Sequence, residues 1–143
     1  MRKFERVTGS EANLPTRGTK GSAGYDFHMP YSLEILPFEG VLLGLGIKCC
    51  MNENEVLQVH IRSSIAIKKG LNFENPVVII DSDYYNNEDN EGEIFIKLFN
   101  HTGVPVALKK GERVAQGIFM NYLVADDDNV RTERTGGIGS TGE

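Results

Sequence analysis

Period-two alternation of apolar and polar residues constrains this chain more than any other feature. In Glu55–Ile61 (EVLQVHI), Leu57, Val59 and Ile61 alternate with Val56, Gln58 and His60; in Glu93–Phe99 (EIFIKLF), Ile94, Ile96 and Leu98 share one face. Side chains two apart point the same way in an extended strand, so both segments are expected to be strands. Val41–Met51 and Arg113–Val124 are further strand-like runs, and 16 glycines and 5 prolines punctuate the sequence. Many short strands with frequent turns predict an all-β sandwich or barrel. One segment departs from the pattern. Ser63–Gly70 (SSIAIKKG) reads as a brief helix with a Ser N-cap, two lysines in its last turn and a Gly stop. With 143 residues the chain is the size of one domain with a real core. The barrel is expected over residues 1–125. An acidic connector (Asp126–Asn129) and a mobile Gly-rich tail are expected over 126–143.

Several classes of function are disfavoured. No apolar stretch approaches a membrane span, and MRKFERVTGSEANLP carries no apolar core of a secretory leader. Cys49 and Cys50 are adjacent, which suits neither a disulfide framework nor a metal site; two reduced thiols in a strand favour the cytoplasm. His28, His60 and His101 lack metal-ligand spacing and read as surface or strand residues. A net charge of −5 argues against a general nucleic-acid surface, although a local cluster of cations could still take an anion.

Five segments could carry chemistry. In Val77–Tyr85 (VVIIDSDYY) an apolar run ends in Asp81 and Asp83, two positions apart. On a strand they would emerge side by side, able to take a proton from water or organise a cation. Taken alone, the run also reads as a strand entering a turn. Arg62-Ser63-Ser64 opens the short helix, where free N–H groups, a guanidinium and two hydroxyls suit a phosphate; a plain N-cap beside a surface Arg is the other reading. The tail Thr135–Gly142 (TGGIGSTG) could wrap phosphates but lacks the Lys of a Walker A loop. Gln116, sharing a face with Val114 and Ile118, needs a polar partner. Asp26 lies in a strand of small residues. Together these suit attack by water on a magnesium-bound polyphosphate.

In combination the segments resemble the trimeric dUTPase family. AGYDF at Ala23–Phe27, RSSIA at Arg62–Ala66, IIDSDYY at Ile79–Tyr85, GERVAQGIF at Gly111–Phe119 and GGIGSTG at Gly136–Gly142 stand in the family's order. The resemblance implies a distorted jelly-roll barrel that assembles as a homotrimer, with active sites between subunits and the tail closing over a site largely built by its neighbours. It implies Mg²⁺-dependent hydrolysis of dUTP to dUMP and pyrophosphate, an activity that keeps uracil out of DNA and supplies dUMP. By the same resemblance, Asp81 is the general base and Tyr84 packs on the deoxyribose, excluding a 2′-hydroxyl. Asn75 reads the uracil edge. Arg62, Ser63 and Ser64 hold phosphates with Gln116 nearby, and Asp26 acts on Mg²⁺ through water. Arg134, Gly137, Ser140 and Thr141 contact the phosphate end.

Four departures from the pattern stand out. Ile138 occupies the place of the Phe that stacks on uracil, where base–aromatic stacking is worth about 1–3 kcal/mol. Arg134 lies one residue nearer the glycines than usual, leaving Arg131 as a substitute. Val78 replaces a frequent Gly. Asn86–Glu91 reads as an insertion, a polar loop that could reshape the rim or meet a partner. Two alternatives accompany the hydrolase. One is a dCTP deaminase of the same fold, disfavoured by the Asp81 segment and the tail. The other is a nucleotide-sensing regulator that binds a protein partner, as in some phage members.

Overall fold

The alternation resolves into antiparallel ladders. The computed structural model describes residues 1–142, so Glu143 of the expected tail lies outside the described residues. The strands are β1 (Lys3–Arg6), β2 (Thr16–Arg17), β3 (Tyr25–His28), β4 (Leu33–Ile35), β5 (Gly40–Gly44), β6 (Ile47–Cys50) and β7 (Glu55–Ile61). After helix α1 (Ser63–Lys69) come β8 (Leu71–Phe73), β9 (Val78–Asp81), a 3₁₀ turn at Ser82–Tyr84, β10 (Phe95–Asn100), β11 (Val106–Leu108) and β12 (Arg113–Asn121). The largest sheet runs β2-β3-β12-β7-β9, and a second runs β5-β10-β8. The pairs β1-β6 and β4-β11 complete a nearly all-β, jelly-roll-like architecture with one short helix.

The faces that alternate in sequence fill the core. Leu57, Val59, Ile94, Ile96 and Leu98 are each buried to 1% exposure or less. Each contributes roughly 1.5–3 kcal/mol of transfer free energy. Cys49 and Cys50 end β6 as free thiols. Burial pushes the Cys49 thiol up to about 12, with the neighbouring Cys50 and Glu55 adding to the shift.

Three local expectations need correction. The run Val41–Met51 is two strands, because Gly46 adopts φ 70° and redirects the chain from pairing with β10 to pairing with β1. Ser63 does not cap α1. Arg62 occupies the N-cap position in extended geometry without a side-chain cap bond, and Ser63 is the first helical residue. The helix starts one residue earlier than the serine signal suggests, directly after Arg62, whose N–H donates to the Val114 carbonyl at 3.1 Å. The Gly stop stands as expected, with Gly70 left-handed at φ 66°. Finally, Gln116 does not share a face with Val114. A register shift between Arg113 and Ala115 turns both Val114 and Ala115 inward at 0% exposure, leaving Gln116 and Ile118 to line a cleft together.

A candidate active site in two halves

Strand β9 places the first half. Asp81 ends it, but Asp83 does not follow on the same strand, because the chain turns into a 3₁₀ helix at Ser82. The two carboxylates converge all the same. Arg134 of the tail donates Nη2–H to Asp81 Oδ2 and Nε–H to Asp83 Oδ1, both at 2.9 Å. The Arg134 side chain is 8% exposed, whereas those of Asp81 and Asp83 are 55% and 56% exposed. Arg134 thus meets carboxylates of its own chain, whereas the Arg131 guanidinium meets only the Val130 carbonyl among described residues.

Tyr84 lies beneath this ion pair. Its ring packs under the Arg134 guanidinium at 5.5 Å, and its hydroxyl donates to the Glu93 carbonyl at 2.7 Å. Burial pushes the phenol above its ordinary range, against the hydrogen bond from Asn90 and the charge of Arg134, so it stays a donor at neutral pH. Asn75, in the turn between β8 and β9, joins Asp81, Tyr84, Arg134, Gly137, Ile138 and Thr141 around a cleft of about 350 Å³. Ser140 is tied in through Arg134 Nη1 at 3.4 Å. Ile138 lines the same cleft and is 72% exposed.

The second half gathers where β7, β3 and β12 meet α1. Arg62, Ser63, Ser64, Asp26 and Gln116 line a cleft of about 500 Å³ with Arg113. Asp26 is held from both sides, by Arg62 Nε at 3.1 Å and Arg113 Nη1 at 3.2 Å. Gln116 sits against Gly24, where an added Cβ would lie 2.7 Å from its Oε1. Arg113 carried no role at the level of sequence, where Lys109–Gln116 reads as a tight turn leading into a strand. His28 lies beside this group, with Nδ1 buried and unpaired among the described residues. Burial holds its pKa below the ordinary value, with Arg113 and Arg62 acting in the same direction and Asp26 opposing.

These halves do not meet within one chain. β9 pairs with the beginning of β7, Asp81 opposite Val56, while Arg62 follows the end of β7. Six residues of strand separate the two levels, about 20 Å at the usual rise. That is several times the span of a triphosphate.

The donor set bears on magnesium. Among the described residues no group of three or more His, Cys, Asp or Glu side chains could hold a metal ion. Asp26 keeps lone pairs beyond those taken by its two arginines. One carboxylate fits a hard cation whose other ligands are phosphate oxygens and water.

A family model described as dUTPase matches residues 10–142. The chain belongs to the dUTPase family. A deoxyuridine 5′-triphosphate nucleotidohydrolase of Lactococcus lactis subsp. lactis (strain IL1403) is 48% identical over 147 residues, spanning 99% of this chain and 98% of the relative. The crystal structure of dUTPase from Streptococcus mutans matches with a TM-score of 0.83 at 44% identity, over 87% of this chain and 98% of that one. A variant dUTPase from phage φ11 of S. aureus, described as coordinating a structural Mg(II) ion, matches at 17% identity with a TM-score of 0.74, over 92% of this chain and 97% of that one. At that identity it shares the fold alone. The family and fold expected from the five ordered motifs are those of the chain.

Proposed function

We propose that this chain hydrolyses dUTP to dUMP and pyrophosphate at sites that each join the Asp81 half of one copy to the Arg62 half of another. The observation that carries the shared site is the separation along β7. One half holds the groups suited to a nucleoside and a base, the other those suited to phosphates, and the length of strand between them exceeds the span of a triphosphate. A homotrimer follows from the family resemblance, and each copy then supplies both halves to different neighbours.

Asp81 is the general base. Arg134 occupies Oδ2 and so orients the carboxylate, leaving Oδ1 to accept a proton from the water that attacks the α-phosphorus. The pyrophosphate leaving group develops charge beside Arg62 and the hydroxyls of Ser63 and Ser64, with Gln116 at the rim. Tyr84 takes the deoxyribose against its ring, and Asn75 pairs with the uracil edge. Gly137, Ile138, Ser140 and Thr141 close over the nucleotide from the tail. Asp26 would hold Mg²⁺ through its water shell, and the ion would supply charge neutralisation for the phosphates. The regulatory alternative is not favoured, because the family match and the relative's name both point to a nucleotidohydrolase. No helix among the described residues is long and apolar enough to cross a membrane; reduced thiols support a cytoplasmic setting.

The test is pyrophosphate release with Mg²⁺ and dUTP, dTTP, dCTP or UTP supplied separately. Release confined to dUTP is expected. Equal turnover of UTP would contradict the role of Tyr84, and ammonia release from dCTP would favour the deaminase.

A further inference from the structure

The inserted segment Asn86–Glu91 folds back on Tyr84 and holds it at both ends. At the ring end, the Tyr84 hydroxyl donates to the Glu93 carbonyl at 2.7 Å and accepts from Asn90 Nδ2 at 2.8 Å. At the backbone end, Asn87 Nδ2 donates to the Tyr84 carbonyl at 2.8 Å. Asn87 also links the two ends, since Nδ2 donates to Asn90 Oδ1 at 2.7 Å. Asn90 Oδ1 accepts the Gly92 N–H as well, at 3.0 Å, so both halves of its amide are committed.

The segment is fixed in its own right. Asn86 and Glu91 are left-handed at φ 58° and 61°, and the Asn86 N–H donates to the Glu91 carbonyl at 2.9 Å. Asn87 Oδ1 accepts from the N–H groups of Asp89 and Asn90 at 3.0 and 3.2 Å. Glu91 Oε2 accepts the Thr8 N–H at 2.8 Å, which ties the segment to the chain after β1. Gly92 has φ 84° and lies so close that a Cβ there would stand 2.7 Å from the Tyr84 carbonyl oxygen.

A ring excludes a 2′-hydroxyl only as firmly as it resists being pushed aside. Discrimination by a clash is bounded by the free energy of moving the group that clashes. Swinging the ring carries its hydroxyl furthest, so the bonds at that hydroxyl must break first, and each adds to the bound.

We propose that Asn90 is a positioning residue for sugar selectivity: its amide pins the Tyr84 hydroxyl and so keeps the ring from yielding to a ribonucleotide. The inference rests on the dUTP-hydrolysing reading, in which Tyr84 faces the deoxyribose. Asn90 acts through Tyr84 and not on the nucleotide. Without the insertion, the Glu93 carbonyl alone would hold the hydroxyl.

Two variants and a double-mutant cycle test this. Asn90→Ala removes the donor. Asn90→Asp removes it too but keeps an acceptor for Gly92 and Asn87, so the bonds within the segment stay. The phenol has one proton, to give either to Glu93 or to the new carboxylate, and one bond is still lost. Loss of one such hydrogen bond corresponds to about fivefold. The ratio of kcat/KM for dUTP to that for UTP is expected to fall by about that factor in both variants, mainly through faster UTP turnover. Tyr84→Phe deletes the bond from the other side, so adding Asn90→Ala to it should cost no further selectivity. The ¹³Cζ resonance of Tyr84 in ¹³C-tyrosine-labelled protein, identified by its absence from Tyr84→Phe, reads the same bond without turnover and should move in both Asn90 variants. A parent-like ratio in Asn90→Asp overturns the proposal, as does an additional loss in the double variant. A parent that releases no pyrophosphate from dUTP overturns the functional reading instead, and an unmoved Tyr84 resonance in Asn90→Asp overturns the pinning by itself.

Discussion

In one half of the site a guanidinium is buried between two exposed carboxylates; in the other a carboxylate is buried between two guanidiniums. Arg134 is 8% exposed beneath Asp81 and Asp83. Asp26 is 11% exposed between Arg62 and Arg113. The same ion-pair chemistry therefore leaves opposite charge facing the clefts. Among the ion-paired groups the first half has one more carboxylate than guanidinium, which suits a base. The second has one more guanidinium than carboxylate, which suits phosphate. β7 holds the two halves about 20 Å apart.

The sharpest break in this comparison comes from removing the base. Asp81→Asn keeps a partner for Arg134 but cannot take a proton, so kcat should fall by about 10²–10⁴-fold. Calorimetric affinity for a non-hydrolysable dUTP analogue should change by only a few-fold. A turnover equal to the parent's would remove Asp81 from the mechanism.

Arg62→Gln is expected to do less, and differently. It retains a hydrogen-bond donor for Asp26 but deletes the surplus positive charge, costing about 10²-fold in kcat/KM through lost phosphate contacts. Binding of the pyrophosphate product should weaken in parallel. Unchanged product inhibition would show that the second cleft is not the phosphate half.

A smaller effect distinguishes the halves by pH. His28 lies only beside the second half, and burial holds its folded pKa below the unfolded value near 6.5. The unfolded chain therefore binds the proton first. This contribution to stability is fully present above about pH 6.5 and is lost as pH falls towards the folded pKa. Urea midpoints measured between about pH 7 and pH 5 should fall less in His28→Phe than in the parent. Parallel decline in both would exclude His28 as the titrating group.

The sequence made the strands legible where one face alone is buried. Ile94, Ile96 and Leu98 all lie in the core as their spacing predicts. It was less informative where two ladders compete for the chain, as at Gly46, or where one strand takes an extra residue, as at Val114. Periodicity carries no record of which strand pairs with which. The pairing of Asp81 with Asp83 was anticipated on strand geometry and is achieved through Arg134, 51 residues beyond Asp83. Asn87, Asp89 and Asn90 read as solvated loop because composition does not reveal that polar groups will satisfy one another. Arg113 was hidden for a similar reason, since its partner Asp26 is 87 residues away.

Subunit complementation tests the shared site most directly. Asp81→Asn and Arg62→Gln chains, each nearly inactive, are unfolded together in equal amounts and refolded as mixed assemblies. If each site draws on two copies, about a quarter of the sites regain both intact halves, and activity should return to about that fraction of the parent. Activity no greater than the sum of the two separate variants, in assemblies shown by mass to be mixed, would contradict a site divided between chains.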